Sequence, residues 1–227
     1  MQKMRWMVIT AMSLVAGAVS ASLITIDEAY NGGANIAEYI AKDNTDPYSN
    51  VIANDGKGSF EVSKAVGSNA NGLNRPAFYF QIPTGYTSAQ VTNAVLSFRL
   101  NTKNSPTTDL DIYSAALNTL GTKDADYAKS MYSNASFTDT GLGLGTGAGI
   151  QVQSFDVTSL VKAAIDQGNP TNVIAFRFQM KNDTTFAYKS INNYQIIGFG
   201  AATEATRPEL VLDIGPKAKS LSLFVIQ

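Results

Sequence analysis

Apolar and polar residues alternate along several segments with the two-residue period of a β-strand. The clearest segments are residues 75–82, 94–100, 109–113, 174–181 and 209–214, and residues 22–26 and 59–62 are weaker examples. Each clear segment gathers its large apolar side chains on one face, which is typical of antiparallel sheets with one solvated side. The pattern therefore predicts an all-β protein, built as an antiparallel, jelly-roll-like β-sandwich.

One short helix interrupts this pattern. Asp156 or Thr158 can cap its first turn, because their side-chain oxygens reach the free amides there. Apolar residues recur at four-residue spacing from Leu160, and Gly168 ends the helix. We expect the helix to lie over the end of the sandwich. Residues 31–58 and 118–149 are polar, glycine-rich and without periodicity, and are predicted to be long loops; the glycine run within residues 141–149 is predicted to be flexible.

The N-terminal segment has the features of a secretory signal peptide. Lys3 and Arg5 precede an apolar run at residues 7–19, and Val19-Ser20-Ala21 reads as a cleavage site. Residues 1–21 are therefore predicted to be removed, leaving a β-sandwich domain at 22–214 and a tail at 215–227. The mature protein is expected to be secreted, extracellular or at the cell surface, and to have no transmembrane segment.

The composition of the chain limits the classes of function that we expect. The chain has 17 basic and 18 acidic residues, a balance that gives no basic surface for nucleic acid. It has no cysteine, which suits a bacterial exported protein better than a small disulfide-rich domain. It also has no histidine, so a Ser-His-Asp triad, a cysteine nucleophile or a His/Cys zinc site cannot be built. We therefore expect a protein that is not an enzyme.

Two kinds of site that use carboxylate oxygens remain possible: a catalytic carboxylate pair and a calcium site. Paired carboxylates such as Asp109 and Asp111 could serve a glycan-cleaving enzyme, but they lie opposite the apolar face of their segment, where solvent is expected. Calcium is the metal that oxygen ligands would suit, and Asp124 and Asp126 are its weak candidates because they lie two residues apart. No complete calcium-loop motif follows them.

Tyrosines in polar context are the candidate ligand-binding residues. An exposed ring can stack on the apolar face of a sugar while its hydroxyl stays hydrated. The alternative is that each ring covers an edge of the core. The candidates are Tyr30, Tyr48, Tyr127, Tyr132 and Tyr194, and Tyr39 shares their context.

Three segments together resemble a known family. They read RPAFYFQIP (75–83) with VTNAVLSF (91–98), SFDVTSLV (154–161) and RPELVL (207–212). Their order and spacing are similar to the DNRLRE-type domain, which is related to disaggregatase repeats and to alginate-binding carbohydrate modules. The resemblance spans about residues 59–214 and implies a jelly-roll-like sandwich of extracellular proteins. The matching positions are scaffold positions, so the resemblance assigns no ligand-binding residue.

Three functions are consistent with these observations. The first is a secreted, non-catalytic module that binds extracellular polysaccharide. The second is a structural protein of the cell surface or matrix that binds itself, as a homo-oligomer or filament, through the edge strands of the sandwich. The third, and the least favoured, is a glycan-cleaving enzyme.

Overall fold

The computed structural model describes most of the sandwich. The described residues are 22–26, 36–39, 51–53, 58–67, 70–104, 108–117, 137–168, 173–181, 193–198, 201, 203 and 207–215. Within them the chain forms two antiparallel sheets and one α-helix. This confirms the predicted all-β sandwich with one short helix.

The larger sheet has seven strands. They are β1 (Ser22–Ile26), β4 (Ser59–Gly67), β5 (Ala70–Asn74), β7 (Val91–Asn104), β10 (Val152–Asp156), β12 (Asn193–Ile197) and β13 (Glu209–Ile214). Their order is β1-β13-β7-β12-β4-β5, and β10 pairs with β7 beside this path. The long strand β7 thus pairs with three others, which makes it the centre of the sheet.

The smaller sheet has six strands. They are β2 (Ile36–Tyr39), β3 (Val51–Ala53), β6 (Ala77–Gln81), β8 (Leu110–Leu117), β9 (Thr138–Leu144) and β11 (Val173–Met180). Their order is β3-β2-β6-β11-β8-β9. A 3-10 turn at Ser88–Gln90 leads into β7.

Phenylalanine rings join the two sheets. Phe60 and Phe98 come from the larger sheet, and Phe78 and Phe178 from the smaller one. The ring centroids of Phe98 and Phe178 lie 4.7 Å apart, and those of Phe60 and Phe78 lie 5.9 Å apart, both edge to face. These contacts place the core between the sheets, and edge-to-face pairs add to the stability that burial alone gives.

The segments predicted to be long loops contain strands. β2 and β3 lie within residues 31–58, and β9 lies within residues 118–149. β2 and β3 are too short to display a two-residue period, and β9 buries only its last residue, Leu144. In β9 a side chain on Gly143 would collide with the carbonyl oxygen of Leu110, so this part of the glycine run is a close strand contact and not a flexible loop.

Part of the outer face of the smaller sheet, on β6 and β11, is buried where solvent was predicted. The side chains of Tyr79, Ala175, Arg177 and Gln179 point away from the phenylalanine core, yet all four are buried. The prediction of a solvated face is therefore wrong for β6 and β11. Long polar side chains such as arginine can be buried when aromatic rings and hydrogen bonds surround their charged ends.

The helix α1 (Thr158–Asp166) has Val157 at its N-cap position, without a side-chain cap, so the predicted cap at Asp156 or Thr158 is wrong, although Asp156 still bonds a free amide of the first turn. The Asp156 carboxylate accepts a hydrogen bond of 2.9 Å from the Thr158 amide. The Thr158 hydroxyl accepts one of 2.8 Å from the Ala94 amide of β7, so it fastens the helix to the larger sheet. Gly168 follows the helix with φ of +64°, the left-handed conformation that ends helices.

Candidate functional site

A pocket of about 260 Å³ lies between α1 and one end of the smaller sheet. The sheet contributes the C-terminal part of β8 and the first residues of β9 and β11. The lining residues are Ser114, Ala115, Ala116, Thr138, Leu160, Ala163, Ala164, Gln167 and Ile174. We call this the helix pocket.

The pairing of β8 with β9 and β11 brings together the residues on the sheet side of the helix pocket. Ser114 of β8 pairs with Thr138 of β9, which places the two hydroxyl-bearing residues on neighbouring strands. Ala116 of β8 pairs with Ile174 of β11. The β8–β9 register shifts between Ile112 and Tyr113, so this pairing depends on the irregularity next to it.

The helix side follows from spacing along α1. Leu160, Ala163, Ala164 and Gln167 lie three or four residues apart and so share one helix face. Two of the four are alanines, and Ala116 of β8 lines the pocket from the sheet. Small side chains on both walls leave the space that larger ones would fill.

The lining of the helix pocket is partly buried and partly exposed. Among the lining residues, Ala115, Ala164 and Ile174 are buried. Thr138 and Gln167 are exposed, so the polar rim is open to solvent.

The chemistry of the helix pocket is that of neutral hydrogen bonding. The hydroxyls of Ser114 and Thr138 and the amide of Gln167 can both donate and accept hydrogen bonds. None of the described lining residues is charged or titrates near neutral pH. They therefore offer a ligand orientation and contact, and no general acid, general base or activated nucleophile.

Two aromatic rings around the buried Arg177 lie next to the residues that carry the hydroxyls. The guanidinium carbon of Arg177 lies 5.0 Å from the ring centroid of Tyr113 and 4.6 Å from that of Phe137. Its Nη2 donates a 2.8 Å hydrogen bond to Gln179. Tyr113 and Phe137 directly precede Ser114 and Thr138 in the chain.

The predicted tyrosine site does not include Tyr194. Its ring is fully buried on β12, and its hydroxyl donates a 2.8 Å hydrogen bond to the Thr108 carbonyl oxygen. The prediction that Tyr194 is an exposed loop residue is wrong. Alternation with the polar residues Asn193 and Gln195 was the signal that it belonged to a strand. Burial, and then the charges of Asp109 and Asp111, raise the pKa of Tyr194 to about 12.

The remaining predicted ligand residues are not described. Tyr30, Tyr48, Tyr127 and Tyr132 lie outside the described residues, as do the calcium candidates Asp124 and Asp126; the side chain of Tyr39 is likewise not described. Among the residues that are described, no three His, Cys, Asp or Glu side chains are grouped to hold a metal ion.

Sequence reasoning missed the residues of the helix pocket. Serine, threonine, glutamine and alanine are common on surfaces, so none of them stands out by type. The only local signal was a pair of adjacent alanines in β8 and another in α1.

No family model matches this chain, and no curated protein matches its sequence. The resemblance to the DNRLRE-type domain stays a prediction. In the described ranges, no helix has the length and apolarity needed to cross a membrane.

Proposed function

We propose that this protein is a secreted, non-catalytic module that binds extracellular polysaccharide through the helix pocket. The observation that carries the proposal is a pocket on a β-sandwich scaffold whose described lining residues are uncharged and offer hydroxyls and an amide. Binding sites commonly combine apolar walls with a few polar groups that fix the orientation of the ligand.

The lining matches the two kinds of surface that a sugar ring presents. The hydroxyls of Ser114 and Thr138 and the Gln167 amide suit sugar hydroxyls, because each can act as donor or acceptor. Leu160, Ile174 and the alanines suit the C–H surface of the ring. A carboxylate pair, which a glycosidase requires, does not occur among the described lining residues, and this favours binding over cleavage.

Binding of the purified protein to a panel of soluble and insoluble polysaccharides, including alginate, tests the proposal. Reducing-end release is assayed in the same tubes. We expect retention without cleavage, and weaker retention for Gln167→Ala, whereas Ser159→Ala, on the same helix but outside the pocket, should bind like the unmodified protein. Retention of no glycan would overturn the proposal, and release of reducing ends would favour the enzyme.

A second candidate function is self-assembly into a homo-oligomer or filament at the cell surface or in a matrix. Three large apolar side chains are well exposed in the described residues: Leu23, Ile150 and Val152. Leu23 is 72% exposed on β1, which is the last of the described strands at one end of the larger sheet, and Val152 is 49% exposed on β10. Exposed apolar residues on outer strands favour pairing between copies.

Size-exclusion chromatography with light scattering, followed by electron microscopy, tests self-assembly. Leu23→Lys should shift larger species toward the monomer, because a charge on an outer strand disfavours pairing. Gln81→Lys, an exposed position of the smaller sheet, is the matched control. A monomer at every concentration would contradict self-assembly.

A further inference from the structure

The outer face of the larger sheet carries exposed aliphatic side chains close to Gly215, where the described part of the chain ends. We infer that the apolar segment 221–226 of the C-terminal tail folds back and docks on this face of its own chain. This inference does not depend on the proposed polysaccharide-binding function.

Strand pairing places three aliphatic residues on the outer face. Val211 of β13 pairs with Val95 of β7, and Asp213, two residues after Val211, pairs with Leu23 of β1. Paired residues of neighbouring antiparallel strands point to the same side of the sheet, which here is the side opposite the buried Leu212. We call Leu23, Val95, Val211 and Asp213 the outer patch.

The outer patch is accessible. Leu23 is 72% exposed, and Val95 and Val211 are partly exposed. Leu23 is diagonal to Val211, a separation within reach of neighbouring side chains in a sheet. The three side chains thus form a continuous apolar surface on which a further apolar segment can be buried.

The tail starts beside the outer patch and is directed back over it. The amide of Gly215, directly after β13, donates a 2.6 Å hydrogen bond to the Gln90 carbonyl oxygen. This bond fixes the starting point of the tail. Gly215-Pro216 is a dipeptide that favours a turn, so the chain can reverse its direction after β13.

The length of the tail suits docking within one chain. The six residues from Pro216 to Leu221 can span about 20 Å when extended. Val211 lies four residues before Gly215 on β13, which is about 13 Å along the strand. A short tether that can span two sites holds them at a high effective concentration, and this favours the patch of the same chain over that of a second copy.

The tail also matches the outer patch in its chemistry. Five of its six residues at 221–226 are apolar: Leu221, Leu223, Phe224, Val225 and Ile226. Burial of such side chains against aliphatic ones is favourable. Lys217 and Lys219 precede them and are opposite in charge to Asp213 of the patch. The basic Arg99 lies on the same face, four residues beyond Val95 and farther from Gly215.

A disulfide trap tests where the tail lies. The chain has no cysteine, so introduced cysteines are the only thiols. Asn93 is exposed and pairs with Asp213, so Asn93→Cys places a thiol beside the patch and leaves its aliphatic residues in place. Leu223→Cys places the second thiol in the tail. Gln81→Cys, at an exposed position of the smaller sheet, replaces Asn93→Cys in the matched control.

The two double variants are oxidised at micromolar protein concentration. Electrophoresis without reductant and mass spectrometry of the linked peptides follow the reaction. We expect an intrachain disulfide between positions 93 and 223 that forms about tenfold faster, or more, than the one between positions 81 and 223. Equal rates would overturn the inference. Disulfide-linked dimers in place of linked monomers would also overturn it, because they would put the tail on a second copy.

Thiol labelling provides a second readout that does not depend on disulfide formation. Asn93→Cys alone is labelled with a maleimide, with the natural tail and with Leu221, Leu223 and Phe224 all replaced by serine. We expect labelling to be several times faster with the serine tail, whereas labelling of Gln81→Cys should be the same with both tails. Equal labelling of Asn93→Cys with both tails would overturn the inference.

Two controls complete the experiment. Unfolding midpoints verify that every variant is folded. The polysaccharide panel is repeated with the serine tail, and failure to bind any glycan would overturn the proposed function and leave the position of the tail as the disulfides and the labelling define it.

Discussion

Strands β13 and β11 both alternate apolar and polar residues, and they lie in different sheets. In β13, Leu210, Leu212 and Ile214 are buried, and the residues between them are partly exposed. In β11 all eight residues are buried, including Arg177 and Gln179 on the outer face. The same alternation therefore accompanies one solvated face in β13 and none in β11.

The difference comes from what lies against the outer face. The ring of Phe137 covers the Arg177 guanidinium of β11 together with Tyr113. A guanidinium is weakly hydrated and flat, so it can stack on rings at a smaller desolvation cost than an ammonium group. The alternation of polar and apolar residues thus indicates which face of a strand a residue occupies. The neighbouring side chains determine whether that face is exposed to solvent.

Removing the Arg177 side chain should have the largest effect on this comparison. Arg177→Ala leaves two rings without their packing partner and Gln179 without a donor, and we expect a loss of about 3 kcal/mol in unfolding free energy. The outward Glu209→Ala in β13 should change it by less than about 0.5 kcal/mol. Urea denaturation of both variants measures the difference.

Arg177→Met separates the volume of the side chain from its charge. If packing is the main contribution, the methionine variant should recover most of the lost stability, because a long apolar side chain can fill the same space. A loss as large as that of alanine would instead assign the stability to the guanidinium. Equal small losses for Arg177→Ala and Glu209→Ala would contradict the burial of β11 on both faces.

Tyr194 provides a smaller effect, from the larger sheet. Tyr194→Phe removes the hydrogen bond to the Thr108 carbonyl oxygen, and we expect a loss of about 1 kcal/mol at pH 7, where the phenol is neutral in both states. An unchanged unfolding free energy at pH 7 would contradict a buried, bonded hydroxyl.

The fall of stability at alkaline pH provides a second test of the burial of Tyr194. The folded pKa of about 12 lies above the ordinary value of 10.0, so the stability linked to Tyr194 is complete below pH 10. It is lost as the pH rises toward 12, because the unfolded chain releases the proton first. Stability measured from pH 9 to 12 should fall less steeply for Tyr194→Phe than for the unmodified protein.

The fold could be predicted from the sequence where the strands are long. β13 and the central part of β7 display their full alternation, and α1 has Asp156 bonded to its first amide and Gly168 after its last turn. The short strands β2 and β3 could not be predicted, because three or four residues do not establish a period.

The helix pocket was not accessible in the same way. Ser114 and Thr138 lie 24 residues apart, and they meet only because of the register of β8 with β9. The alanines that line the pocket lie on a strand and on a helix that are far apart in the sequence. Contacts of this kind arise from the tertiary structure and have no local signature.

Substitution of Asp156, which lies just before the helix that forms one wall of the pocket, should have the smallest effect on stability. Hydrogen bonds from the Thr158 hydroxyl, and then from its amide, lower the pKa of Asp156 below 3.8. The stabilisation is therefore complete above the unfolded pKa and is lost as the pH falls through the folded one. Asp156→Asn keeps an oxygen that can accept the hydrogen bond from the Thr158 amide but does not titrate, whereas Asp156→Ala removes that hydrogen bond. Unfolding midpoints are measured from pH 7 to pH 2.5. The unmodified protein should be slightly more stable than Asp156→Asn, and this difference should shrink only in acid. The alanine variant should be the least stable at pH 7. An advantage that stays constant with pH would contradict a role for the charge of Asp156.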